Sequence, residues 1–159
     1  MIVISDSSSL IAVAAVGHLE VLRGLYGEVV VPHAVWTEVT ARDRPGAADI
    51  RIATWIRVAS VRNRALISDL PQRVGAGEGE AMVLAQELSA DLLLIDERKA
   101  RKTALQLGLP VTGIIGVLLE AKKAGLISAI KPILDQMEAV VAFRLKRSLY
   151  NAAVRAAGE

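Results

Sequence analysis

The chain has no cysteine among its 159 residues. This excludes disulfides and thiolate-held metal, and leaves oxygen ligands or the two histidines, His18 and His33, to bind any ion. A cytosolic protein is the expectation. Aromatic residues amount to 3% of the chain, so no base-stacking surface is evident, and Trp36 and Trp55 are expected in the core or at an interface. Long apolar runs are also missing. The stretches Leu10 to Val16 and Leu92 to Ile95 fall far short of the ~20 residues that span a bilayer. No basic region precedes an apolar stretch at the start, so neither signal peptide nor membrane segment is read. A Ser-His-Asp hydrolase fails on inventory, because neither histidine lies near a nucleophile signal.

What is present is apolar matter and unevenly spread charge. Hydrophobic residues make up 53% of the chain, enough to bury one substantial core, and residues 1–159 are read as one domain. The formal charge is only +2, but Arg42 to Arg64 carries six arginines against two aspartates, and Glu97 to Lys102 carries four bases against one acid. Such stretches suit a polyanion, although each by itself also describes a solvated helix face.

The pattern alternates between strands and helices. Ile2-Val3-Ile4 opens into the polar turn Asp6-Ser7-Ser8-Ser9, followed by a helix to Val16 that Gly17 closes and a second helix from His18 to about Tyr26. Val29-Val30-Val31 is a buried strand, and Pro32 starts a helix with Glu38 in its second turn. Residues 41–49 form a loop, leading to a short helix through Ile50 and Ile52 and a strand near Arg57 to Val61. Pro71 to Gly77 is a linker, and Gly77 begins a helix through Leu88. Leu92-Leu93-Leu94-Ile95 is a continuous apolar run, as in a strand covered on both faces, with Asp96 at its carboxyl end. A helix through Ala104 stops at Gly108, Pro110-Val111 is a last short strand, and helices follow near 113–124, 130–141 and 148–156. This order predicts a mostly parallel sheet with helices on both faces, whose ligands bind beyond the carboxyl ends of the strands. Asp6 and Asp96 both fall there.

Either acid alone is an ordinary helix cap. Together with Glu38, Glu78 and Glu80, all near helix starts, they suggest a gathering of carboxylates that is costly unless a cation neutralises it. Oxygen ligands of this kind select Mg²⁺ or Mn²⁺. A metal so held polarises a phosphoryl oxygen and activates water, which is nuclease chemistry. Glu97 reads either as a further ligand or as a first-turn acid. Arg98, Lys99 and Arg101 stand where they could meet an RNA backbone.

The same residues resemble the PIN-domain nucleases. The matching segments are Asp6-Ser7-Ser8-Ser9-Leu10-Ile11 after an apolar strand, Val31-Pro32-His33-Ala34-Val35-Trp36-Thr37-Glu38-Val39, Gly77-Glu78-Gly79-Glu80-Ala81, Asp91-Leu92-Leu93-Leu94-Ile95-Asp96-Glu97 with Arg98, Ala100 and Arg101, and the run from Gly113 through Gly116, Leu118, Ala121-Lys122, Gly125-Leu126-Ile127 and Pro132. The resemblance covers nearly the whole chain. It implies a three-layer α/β/α fold and a Mg²⁺- or Mn²⁺-dependent RNase, often a toxin of the VapC-like branch neutralised by an antitoxin protein. By position Asp6, Glu38 and Asp96 would be the first, second and last acids, and the third is Glu78 or Glu80. The polar residue that often precedes the last acid is replaced here by Leu94 and Ile95, leaving Ser8 as a hydroxyl near Asp6. A homodimer through the apolar helices of Leu10 to Leu25 is a further expectation.

Three rivals are weighed. Ala76-Gly77-Glu78-Gly79-Glu80 lacks the Lys and Ser/Thr of a phosphate-binding loop, and its glutamates would repel phosphate. A phosphoacceptor Asp6 would require an acid where Ser8 stands. A PIN-like module that binds RNA or protein without cleaving is the serious alternative.

Overall fold

The computed structural model describes residues 1–71 and 74–159. Its strands are Val3–Ser5 (β1), Val29–Pro32 (β2), Ile56–Ala59 (β3), Leu92–Leu94 (β4) and Val111–Thr112 (β5). Its helices are Ser7–Ala15 (α1), Glu20–Tyr26 (α2), His33–Val39 (α3), Ala47–Ile52 (α4), Ala65–Ser68 (α5), Ala76–Glu87 (α6), Arg98–Gln106 (α7), Ile114–Lys123 (α8), Lys131–Val141 (α9) and Arg147–Ala156 (α10). The five strands form one sheet in the order β3-β2-β1-β4-β5, and every pairing is parallel. The expected three-layer α/β/α architecture is therefore present.

Strand alternation builds the layers, since successive side chains leave a strand on opposite faces. Val3, Val29, Val31 and Leu94 enter one core with α1, α2, α8, α9 and α10. Ile4, Val30, Leu93 and Ile95 enter the other with α6 and α7. A strand buried on both faces has no polar side to show, which is why β2 and β4 read as unbroken apolar runs.

Several local expectations shift. Ser7 to Ser9 are the first turn of α1 rather than a turn before it, because Asp6 is the N-cap and its Oδ1 accepts from Ser9 N at 2.9 Å. α2 begins at Glu20, so His18 precedes it, α4 starts at Ala47, and α6 starts at Ala76. The linker read over Pro71 to Gly77 includes residues 72 and 73, which lie outside the described residues. The one-turn α5 carries too little periodicity to be seen in the sequence. Leu10, Val13 and Leu22 are wholly buried inside the chain, while Ile11, Val16 and Leu25 are only partly buried. α1 and α2, bent at 119° to one another, pass a length and composition test for a membrane span only as a pair, and among the described residues no single helix is long and apolar enough to cross a membrane.

Helix α9 closes on a left-handed residue that is not glycine. Ala142 takes φ +52°, and Phe143 N donates to Met137 O at 3.3 Å, six residues back. Both Ala142 N and Phe143 N thus converge on Met137 O, and a left-handed residue at a helix end is normally glycine. Ala142→Gly is expected to raise stability by about 0.5–1 kcal/mol, from relief of Cβ strain net of the added entropy of the unfolded chain. Urea denaturation checks it, and a fall in the midpoint would contradict the strained-cap reading.

Candidate active site

The strand order reverses between β1 and β4, with β2 and β3 to one side and β5 to the other. Helices leave a doubly wound sheet in opposite directions at that point, which opens a crevice at the carboxyl ends. β1 and β4 are in register, Ser5 beside Leu94, so Asp6, one residue on, and Asp96, two residues on, come out at the same edge. Asp6 Oδ2 lies 3.4 Å from Asp96 N. Ser9 ties the two together: its N–H donates to Asp6 Oδ1, and its hydroxyl donates to Asp96 Oδ2 at 2.9 Å.

Asp96 does not cap its own following helix. Glu97 does, accepting from Ala100 N at 2.7 Å, which resolves Glu97 as a helix cap. Asp96 Oδ1 instead accepts at 3.0 Å from Ile114 N, the first N–H of α8, whose N-cap Gly113 has no side chain to offer. The absence of that side chain is required. A Cβ at position 113 would lie 2.5 Å from Arg101 Nη1 and 2.6 Å from Asp96 Oδ1, closer than real Cβ contacts. Gly113→Ala is expected to push Asp96 and Arg101 apart and cut nuclease activity at least tenfold, with little loss of helix content. Circular dichroism beside an RNA cleavage assay tests this, and full activity in a folded Gly113→Ala protein would show the approach to be dispensable.

Burial dominates the electrostatics. Asp6 is wholly buried, and desolvation pushes its carboxyl up to about 7, with the charge of Asp96 adding and the hydrogen bonds from Ser9 opposing. Burial raises Asp96 as well, against the Ile114 N–H, Ser9 and the Arg101 charge. Desolvation also raises Glu78, opposed by its bond to Gly75 N and reinforced by the charges of Glu97 and Glu38.

The two candidates for the third acid are placed differently. Glu78 accepts from Gly75 N at 3.3 Å and feels the charges of Glu97 and Glu38, whereas Glu80, only 8% exposed, accepts from Ala34 N at the start of α3 and pairs with Arg64 at 3.3 Å. Glu80, expected as a metal ligand and catalytic acid, holds α3 and α6 together instead. Glu38 is exposed and faces Arg44 at 3.6 Å. The hydroxyl expected from Ser8 comes from Ser9, since Ser8 is exposed while Ser9 is buried. The Asp6-x-x-Ser9 spacing, a cap and its N3 partner, is the signal that could have found it. Ser7 was also missed: its buried hydroxyl has no partner among the described residues. It lies 3.2 Å from the point where a Gly77 Cβ would stand, and Glu38 Oε2 lies 3.7 Å from that point. Arg98 and Lys99 are exposed on the first turn of α7, and Arg101 is half-buried beside Asp96.

Among the described residues no three His, Asp or Glu side chains are gathered to hold one metal ion. Each acid is engaged locally: Asp6 and Asp96 at helix starts, Glu38 with Arg44, Glu78 with Gly75 N, and Glu97 with Ala100 N. The expected four-acid ligand set is thus reduced to a pair. That pair fits a hard divalent cation. It supplies only oxygen donors, Asp6 is buried and Asp96 half-buried at the cavity edge, and neither acid is ion-paired among the described residues; Mg²⁺ keeps several waters and takes one or two carboxylates.

A family model described as PIN domain matches residues 2–159. The chain belongs to the PIN-domain family, a nuclease-type module whose members typically use divalent metals. No curated protein matches it.

Proposed function

We propose that this PIN-domain chain is a Mg²⁺- or Mn²⁺-dependent endoribonuclease, acting as the toxin of a toxin-antitoxin pair. The observation that carries the nuclease reading is the pairing of buried Asp6 with half-buried Asp96 at the switch point, held by Ser9 and lacking an ion-paired counter-charge among the described residues. Carboxylates kept out of water and beside one another favour either a shared proton or a cation. When bound, a divalent ion supplies Lewis-acid polarisation of the phosphodiester and lowers the pKa of water.

The chain's own residues do the rest. Ser9 and the Ile114 N–H fix the two carboxylates from outside, so that they need not reorganise when substrate arrives. Arg101, held against Asp96 by the bare Gly113, presents a guanidinium beside the acids, where a phosphate's charge would fall. Arg98 and Lys99 face solvent next to it and meet the flanking backbone. Glu38, Glu78 and Glu97 add negative charge at the same edge and attract cations without forming a ligand cage.

Purified protein incubated with mixed RNA is expected to cleave it in Mn²⁺ or Mg²⁺ and to stop in EDTA. Cleavage that persists in EDTA excludes the metal reading. The toxin role predicts growth arrest on expression, relieved by a co-expressed antitoxin, and unimpeded growth at high expression would remove it. One observation favours a second reading, a PIN-like module that binds RNA or protein without cutting: the lack of a three-acid cluster among the described residues. Stoichiometric RNA binding with no product in any divalent metal would establish that reading instead.

A further inference from the structure

A cavity of about 1100 Å³ opens beside Asp96. One wall is α7 and the start of α8, and the other is the segment 143–149, which leaves α9 at the strained Ala142 and runs into α10. Its cations are Arg98, Arg101 and Lys102 on the first wall and Arg144 and Lys146 on the second, and Asp96 is its one acid. Between them the surface is apolar, with Leu105 59% exposed, Leu149 49% exposed and Phe143 half-buried. The segment is anchored at both ends. Phe143 N is bonded to Met137 O, and Tyr150, three residues past Arg147 and under its guanidinium, donates its hydroxyl to Asp135 of α9.

We propose that segment 143–149 is a second substrate wall, on which an unpaired nucleic-acid strand leaving the Asp96 site lays its phosphates along Arg144 and Lys146 and stacks a base on Phe143. The inference rests on the nuclease reading for its substrate class. Charge selects the polyanion: five cations border the groove against one acid that belongs to the active site. The apolar surface selects an unpaired strand, because only unstacked bases can offer their faces to side chains. The base-stacking position is specific, since Phe143 is the one aromatic among the described residues that line the groove.

Fluorescence anisotropy with a labelled 12-nucleotide RNA, measured on the full chain in EDTA, separates this from cleavage. The single strand is expected to bind at least tenfold tighter than the same sequence annealed to its complement. Phe143→Leu is expected to weaken the single strand about tenfold, and Phe143→Tyr to retain it. Five phosphate contacts predict a slope of log affinity against log salt near −3.5, and Arg144→Gln with Lys146→Gln should reduce its magnitude by about 1.4. Equal binding of duplex, an unchanged affinity in folded Phe143→Leu, or binding of poly-glutamate as tight as that of RNA would overturn the proposal. Cleavage that survives with wild-type affinity in these variants sinks the second wall and leaves the nuclease reading standing. Groove-dependent binding without cleavage in any metal does the reverse.

Discussion

Asp6→Asn is expected to cleave RNA at no more than about one hundredth of the wild-type rate in saturating Mn²⁺, a loss of some 3 kcal/mol in transition-state stabilisation. The substitution is close to isosteric, and Asn is as good an N-cap as Asp, so the Ser9 N–H bond and α1 survive it. What disappears is the ionisable carboxyl that burial keeps from solvent, and with it an anionic oxygen for a cation. Asp96→Asn should behave alike, because Asp96 N lies 3.4 Å from Asp6 Oδ2 and its carboxylate shares Ser9 with Asp6. Glu80→Gln is the internal control. Its carboxylate is occupied with Ala34 N and Arg64, so it should change stability more than turnover per folded molecule. Single-turnover cleavage normalised to folded protein reads all three. If Glu80→Gln were as inactive as Asp6→Asn while fully folded, the placement of Glu80 outside the site would be wrong.

The same substitution should have the opposite effect on stability. In EDTA, wild-type protein is expected to lose stability as pH rises from about 4 to 8, by an amount on the order of a few kcal/mol, and Asp6→Asn to lose much less. The sign follows from the raised carboxyl. In the unfolded chain Asp6 ionises near the ordinary aspartate value of 3.8, whereas in the fold burial holds its proton up to about 7. Between those values the native state binds more protons than the unfolded state, so stability falls with rising pH. Below 3.8 the term vanishes, and above about 7 the full cost of an ionised, buried carboxylate is present. Asn carries no proton to lose and is free of this cost. Millimolar Mg²⁺ should restore stability to the wild type above pH 7, as any ligand that binds only the folded state does, and leave Asp6→Asn nearly unchanged. Thermal melts at pH 5 and pH 8, with and without Mg²⁺, give the comparison. A wild-type protein more stable at pH 8 than at pH 5 in EDTA, with Asp6→Asn showing the same trend, would mean that Asp6 is not carrying an unneutralised charge.

These two results test different links. Loss of cleavage shows that the pair is needed, while a gain in metal-free stability shows that the fold tolerates the pair at a cost. Structural caps normally stabilise, so an acid whose amide stabilises the metal-free protein is being retained for something other than the helix it begins.

Much of the architecture was legible in the residues themselves. Val3-Ile4, Val29-Val30-Val31 and Leu92-Leu93-Leu94-Ile95 are apolar at every position because both faces of their strands are covered, and glycines at 17, 27 and 108 end helices with positive φ. The parallel sheet and the placement of Asp6 and Asp96 at strand ends follow from this local chemistry. Glu97 was legible only as two alternatives, and the first-turn acid proved to be the cap of α7.

The tertiary structure decided which of those acids meet. Glu78 and Glu80 stand two residues apart on α6, about 200° around the helix, so both cannot face the same site. Gly77, Gly79 and residues 80–85 are all buried, leaving no polar stripe in the sequence from which the rotation of that helix could be read. Packing against α3 turns Glu80 to Ala34 and leaves Glu78 on Gly75 N, within reach of the charges of Glu97 and Glu38. The same holds for the partners of Asp96. Ser9, Arg101 and the bare Gly113 lie 87, 5 and 17 positions from it and converge only because strand order places β4 between β1 and β5. Sequence thus determined the strand ends that carry the acids. Only the fold, through helix rotation and strand order, determined that two of them pair in the crevice while the others turn to other donors.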